Sequence, residues 1–124
     1  MNYFLIPGNP PATFFYELWR MEISALVPEA RVRVSAYPPL SPRRDSPRAM
    51  EEVLAHHREG LEEFHREALS PITIIGHSLG AYFAMGLLAS RPHLVEEAIL
   101  VHRFLRAPRR LGRVILISVG SLFF

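Results

Sequence analysis

The feature that most constrains the fold is a G-x-S-x-G pentapeptide, Gly76 to Gly80, which lies between two apolar runs. The run before it, Ile72 to Ile75, is typical of a buried strand, and the run after it, Ala81 to Leu88, is typical of a helix. Glycine at both ends lets the backbone turn sharply and lifts the central Ser78 clear of the strand. The pattern therefore predicts a strand, an exposed serine and a helix in direct succession, the arrangement known as a nucleophile elbow.

An elbow serine needs hydrogen-bond donors for the negative charge that develops on the carbonyl oxygen it attacks. The backbone N–H of the next residue, Leu79, begins the helix and is one predicted donor. The loop Pro7 to Pro11 is the predicted source of a second, because Gly8 permits close approach and its prolines have no N–H. We expect this donor to be the N–H of Asn9. The alternatives are that Ser78 caps the helix and that Asn9 is an ordinary turn residue.

The other apolar patterns alternate between strand and helix. They predict a strand at Tyr3 to Ile6, an amphipathic helix over 13–26, an edge strand at Arg31 to Ala36, a long helix over 48–69 and a strand at Ala98 to Val101. A proline-rich loop separates the edge strand from the long helix. This alternation predicts an α/β layered fold with a mainly parallel sheet.

Length and composition narrow the classes of protein. With 124 residues the chain forms one domain at most, and the absence of cysteine excludes disulfides and thiolate metal sites. A reducing cytoplasm is therefore the expected location. All basic side chains are arginines, but they are not interleaved with aromatic residues as a base-stacking groove requires, so no nucleic-acid partner is expected.

Two blocks of the sequence resemble a known family. Leu5 to Pro10 with Phe15-Tyr16 following, and Gly76 to Tyr82, are similar to segments of the α/β hydrolases, and within them of the lipid droplet-associated hydrolase family. The resemblance implies a three-layer α/β-hydrolase-like fold and hydrolysis of a lipid ester by a Ser-Asp-His triad, with no metal and no organic cofactor. It also implies association with neutral-lipid surfaces, so the expected location is the cytoplasm with peripheral contact to lipid droplets or membranes.

The chain departs from that family pattern, in which the triad acid and histidine follow the serine. The sole aspartate, Asp45, precedes Ser78. Glu96 and Glu97 follow it, but they are expected at the start of the next strand, at the edge of the sheet opposite to the elbow. His93 is expected at the edge of the sheet away from the elbow. His102 ends the strand that directly follows the elbow helix, which is too early in the order of strands for the triad histidine.

We therefore expect the acid and base to be missing, the chain to be the N-terminal half of a hydrolase domain, incomplete at its C-terminus, and turnover to be slight. The alternative function is a non-catalytic lipid- or partner-binding module on the same fold. Of the remaining histidines, His56, His57 and His65 are expected on a solvated helix face, and His77 as a packing residue of the elbow.

The last part of the chain fits the alternation poorly. Residues 1–102 are predicted to form the N-terminal part of the domain, whereas 103–124 is first basic and then apolar. Four arginines spaced by three and four share one face if this segment is helical: Arg103, Arg106, Arg110 and Arg113. A cap or insertion helix is expected here, which either touches lipid or belongs to the body of a larger domain.

Overall fold

The computed structural model describes residues 1–8, 13–38, 48–102 and 109–118. These form nine elements in the order β1 (Asn2–Ile6), α1 (Thr13–Leu26), β2 (Arg31–Val34), α2 (Arg48–Ala68), β3 (Ile72–His77), α3 (Leu79–Ser90), β4 (Val95–His102), β5 (Arg109–Leu111) and β6 (Val114–Ser118). The predicted strands and helices before residue 103 are confirmed, with boundaries that differ by a few residues.

The strands form one sheet in the order β2-β1-β3-β4-β6-β5. Every neighbouring pair is parallel except β5 and β6, which are antiparallel. Parallel strands end at the same edge of a sheet, and here Ile6 of β1 pairs with Gly76 of β3. The residues that follow β1 and β3 therefore meet at one edge.

Helices cover both faces of this sheet. Successive side chains of a strand point to opposite faces. Phe4 and Ile74 lie in the buried core with Leu61 and Phe64 of α2 and with Phe83 of α3. On the other face, His77 of β3 hydrogen-bonds to Tyr16 of α1. The predicted α/β fold with three layers and a mainly parallel sheet is confirmed.

The prediction of a helix within 103–124 is wrong for the residues that the structure describes, because 109–118 contains the strands β5 and β6. Val114 to Ser118 is rich in β-branched residues, and it pairs with the free edge of β4. Of the four arginines singled out, Arg103 and Arg106 lie outside the described residues. Arg110 forms a 3.0 Å ion pair with Glu97, and Arg113, in the turn between the strands, donates to the carbonyl of Pro92. This segment thus extends the same sheet.

Within the described ranges, no helix is both long enough and apolar enough to cross a bilayer.

The start of α3 packs directly against the end of β1. A Cβ atom on Gly80 would lie 2.0 Å from the carbonyl oxygen of Ile6 and 2.7 Å from that of Pro7. Both are backbone atoms, so no side-chain rearrangement could relieve such a contact. Gly60 in α2 is different, since a Cβ there would meet the ring of Phe4 at 3.4 Å, which is near ordinary contact.

We predict that Gly80→Ala lowers the free energy of unfolding by about 3 kcal/mol or more, because helix and strand backbones must move apart. Gly60→Ala is the control and should be neutral or stabilising by up to about 1 kcal/mol, since alanine favours the helix. Urea unfolding followed by circular dichroism measures both. Equal stability of the two variants would contradict this view of the contact.

Candidate active site

Ser78 occupies a strained position between β3 and α3. Its backbone has φ 56° and ψ −117°, and its side chain is exposed. Its N–H donates to the carbonyl of Val101 at 3.1 Å, and its carbonyl accepts from the N–H of Ala81 at 2.9 Å. The side chain makes no capping hydrogen bond to the helix. The predicted succession of strand, exposed serine and helix is confirmed, and simple helix capping does not explain the serine.

The turn around Ser78 requires its two glycines. A Cβ atom on Gly76 would lie 2.5 Å from the carbonyl oxygen of Gly80, so the first turn of α3 lies directly over the end of β3. Leu79 is the first residue of that helix. Its N–H belongs to the group of N–H donors that have no acceptor within a helix. It is thus suited to bind an anionic oxygen.

The loop after β1 lies beside Ser78. A Cβ atom on Gly8 would be 3.0 Å from Cβ of Ser78 and 2.9 Å from the carbonyl oxygen of His77. The backbone of this loop therefore lies against the serine at Gly8. Asn9, the predicted second oxyanion donor, lies outside the described residues, as does Asp45.

Tyr16 of α1 joins this loop to β3. Its hydroxyl accepts the N–H of Gly8 at 2.8 Å and lies 2.7 Å from Nδ1 of His77. The arrangement that satisfies all three groups has Tyr16 donating to Nδ1, which leaves the proton of His77 on Nε2. Burial raises the pKa of Tyr16, and the hydrogen bond from Gly8 opposes this effect. The N–H of Gly8 is thus already bound, and His77 is a packing and hydrogen-bonding residue as expected.

A second tyrosine holds the same loop from the other face of the sheet. The Tyr37 hydroxyl donates to the carbonyl of Pro7, and its ring packs edge-on against His57 at 4.8 Å between centroids. Burial, together with the nearby Tyr16, raises the pKa of Tyr37 to about 12. Neither hydroxyl was predicted as part of the site: Tyr16 lies within a block that resembles the family, but nothing in the sequence marks Tyr37.

The expectation that His57 lies on a solvated helix face is wrong. Its side chain is 0% exposed, and Nδ1 lies 2.6 Å from Oγ of Ser35. His57 falls on the same face of α2 as Leu61 and Phe64, four and seven residues on, and this face packs on the sheet. Burial, with a smaller contribution from His56, lowers the pKa of His57 to about 4. Its Nε2 has no hydrogen-bond partner among the described residues.

The acidic residues after Ser78 lie at the opposite edge of the sheet, as expected. Glu97 pairs in register with Thr73 near the start of β3, whereas Val101 pairs with His77 at its end. The carboxylate of Glu97 is bound to Arg110.

His93 is exposed in the turn before β4. For His102 only the backbone is described. In the described part of the chain no three metal-ligating side chains lie together.

This architecture is that of an α/β hydrolase. The crystal structure of a PytH variant, an α/β hydrolase, matches with a TM-score of 0.57 and 22% sequence identity, over 87% of this chain and 42% of that one. The chain thus spans less than half the length of this solved relative. No curated protein sequence matches the chain. The model of the lipid-droplet associated hydrolase family matches residues 1–109, and the chain belongs to that family.

The strain at Ser78 gives a prediction about stability. Glycine adopts positive φ without a steric penalty, so Ser78→Gly should be more stable to urea than Ser78→Ala by about 1 kcal/mol. The same exchange at the exposed, helical Ala89 is the control, where Ala89→Gly should lose up to about 1 kcal/mol. A less stable glycine variant at both positions would argue against backbone strain at Ser78.

The buried imidazole gives a prediction about pH. The unfolded chain binds a proton at His57 below about pH 6.5, but the folded chain does so only below about pH 4. Stability should therefore be complete above pH 6.5 and fall as the pH drops toward 4, by on the order of 3 kcal/mol from this residue. Urea unfolding across this pH range should show a shallower dependence for His57→Gln. The control His93→Gln should retain the full dependence, and an unchanged slope in His57→Gln would refute the assignment.

Proposed function

We propose that this chain carries the nucleophile and the oxyanion side of a serine ester hydrolase, with Ser78 as the nucleophile. The observation that carries the proposal is the strained, exposed serine whose backbone is held between β3, β4 and α3, directly beside the loop at Gly8. Strained backbone positions cluster at active sites, and here the strain coincides with an exposed potential nucleophile. Membership of a hydrolase family supports the same conclusion.

The proposed reaction is acyl transfer through the serine. Oγ of Ser78 attacks the ester carbonyl carbon while its proton passes to a base, and the carbonyl oxygen becomes an oxyanion. The N–H groups of Leu79 and Asn9 donate to that oxyanion. The carbon–oxygen bond to the alcohol then breaks, and the alcohol leaves with a proton. Water hydrolyses the acyl-serine to release the acid and restore Ser78.

We further propose that the triad acid and histidine are not among the residues of this sequence. His77 has Nδ1 bound to Tyr16, and His57 is buried against Ser35. Glu97 lies at the far edge of the sheet. Ser78 therefore has an oxyanion site but no assigned base, and its own acylation is expected to be slow.

A lipid ester is the proposed substrate class, with peripheral contact of a cytoplasmic protein with lipid droplets or membranes. The family supports this part of the proposal. Flotation with neutral-lipid particles tests the surface contact. A protein that stays at the bottom of the gradient would contradict this part of the proposal.

A thiol at position 78 tests the oxyanion site without needing a base, because the chain has no cysteine of its own. Ser78→Cys is compared with Ala89→Cys, which is exposed near the other end of α3. Two rates are measured for each thiol: acylation by p-nitrophenyl acetate, which passes through an oxyanion, and alkylation by iodoacetamide, which does not. The ratio of acylation to alkylation should be about a hundredfold higher at position 78.

The ratio of acylation to alkylation distinguishes an ester hydrolase from a non-catalytic binding module. A lowered thiol pKa at a helix start speeds both reactions and leaves the ratio unchanged, whereas an oxyanion site speeds acylation alone. An equal ratio at the two positions would overturn the oxyanion site and favour a non-catalytic binding module. A higher ratio at position 78 supports ester chemistry.

A further inference from the structure

The short backbone segment Pro7–Gly8 is held by one tyrosine from each face of the sheet. Tyr16 reaches it from α1 and accepts the N–H of Gly8, while Tyr37 reaches it from the chain after β2 and donates to the carbonyl of Pro7. Both polar groups of the peptide bond between Pro7 and Gly8 thus have a side-chain partner rather than a sheet partner. Both residues of the segment are buried, so water does not replace these bonds.

Each tyrosine is itself fixed by further contacts. The hydroxyl of Tyr16 lies 2.7 Å from Nδ1 of His77, the residue directly before Ser78. The ring of Tyr37 packs against His57 and lies 6.0 Å from the ring of Phe83 between centroids. One tyrosine therefore couples the loop to β3, and the other couples it to α2 and α3.

The segment that they hold is in contact with the proposed nucleophile. A Cβ atom on Gly8 would lie only 3.0 Å from Cβ of Ser78, so a small shift of this backbone changes the space around the serine. Because the N–H of Gly8 is bound to Tyr16, it cannot serve the oxyanion. The loop can therefore contribute a donor only from beyond Gly8.

We propose that Tyr16 and Tyr37 are positioning residues that hold the Pro7–Gly8 backbone against Ser78 and so keep the loop's oxyanion donor in place. This inference rests on the proposed function of Ser78. Neither tyrosine touches the reacting atoms, so each acts through the loop. Loss of one hydroxyl leaves a buried backbone group without a partner, and the loop moves away from Ser78 to satisfy it.

The test uses the full chain with Ser78→Cys and adds Tyr16→Phe or Tyr37→Phe, which keep the packed rings. Each addition should lower the ratio of acylation to alkylation about tenfold, because a small displacement of an oxyanion donor has a large effect on acyl transfer. Alkylation, which forms no oxyanion, should change little. Tyr82→Phe is the matched control, since Tyr82 lies on α3 four residues after Ser78 and is 59% exposed.

The outcomes distinguish this inference from the function on which it rests. A high ratio in Ser78→Cys that survives both tyrosine changes would overturn the positioning role alone. A ratio in Ser78→Cys no higher than in Ala89→Cys would overturn both. Thermal unfolding identifies a variant that fails to fold, and in that case the other tyrosine decides the question.

Discussion

The close contact between α3 and the end of β1 is the constraint on which the site depends. Gly80 lets the helix backbone lie against the carbonyl oxygen of Ile6, at a distance that any side chain would prevent. A single residue, Ser78, connects the end of β3 to the start of α3, and its backbone takes up the strain of that connection. The same contact brings the residues after β1 alongside the serine, so one backbone packing interaction assembles both parts of the site.

A tyrosine and a histidine on each face of the sheet hold the loop beside this contact. Tyr16 and His77 lie on the α1 face, and Tyr37 and His57 lie on the face covered by α2 and α3. Both tyrosines are protonated hydrogen-bond donors at neutral pH, and burial raises the pKa of each further above that range. The loop is thus fixed by side chains from elements that are far apart in the sequence.

Local patterns predicted much of this structure because local forces dominate there. The apolar run before Gly76 and the glycines around Ser78 are sufficient to predict the turn, and the mainly parallel sheet follows from the alternation of strands and helices. The burial of His57 was missed although its spacing indicates it, since Leu61 and Phe64 lie four and seven residues further on and share its face of the helix. Tyr37 was missed because its partner, the carbonyl of Pro7, is thirty residues away. Arginine spacing favoured a helix where pairing with β4 instead gave strands.

The short strand β5 has a consequence for how the sheet can grow. It covers the edge of β6 that faces away from β4, and it runs antiparallel to it. A further parallel strand can join β6 only if these three residues are displaced. Otherwise an added strand must pair with β5 or with the outer edge of β2, to which no strand of the described residues is paired. The hairpin therefore blocks direct addition to β6: a strand that is to pair with β6 must replace β5 as its partner.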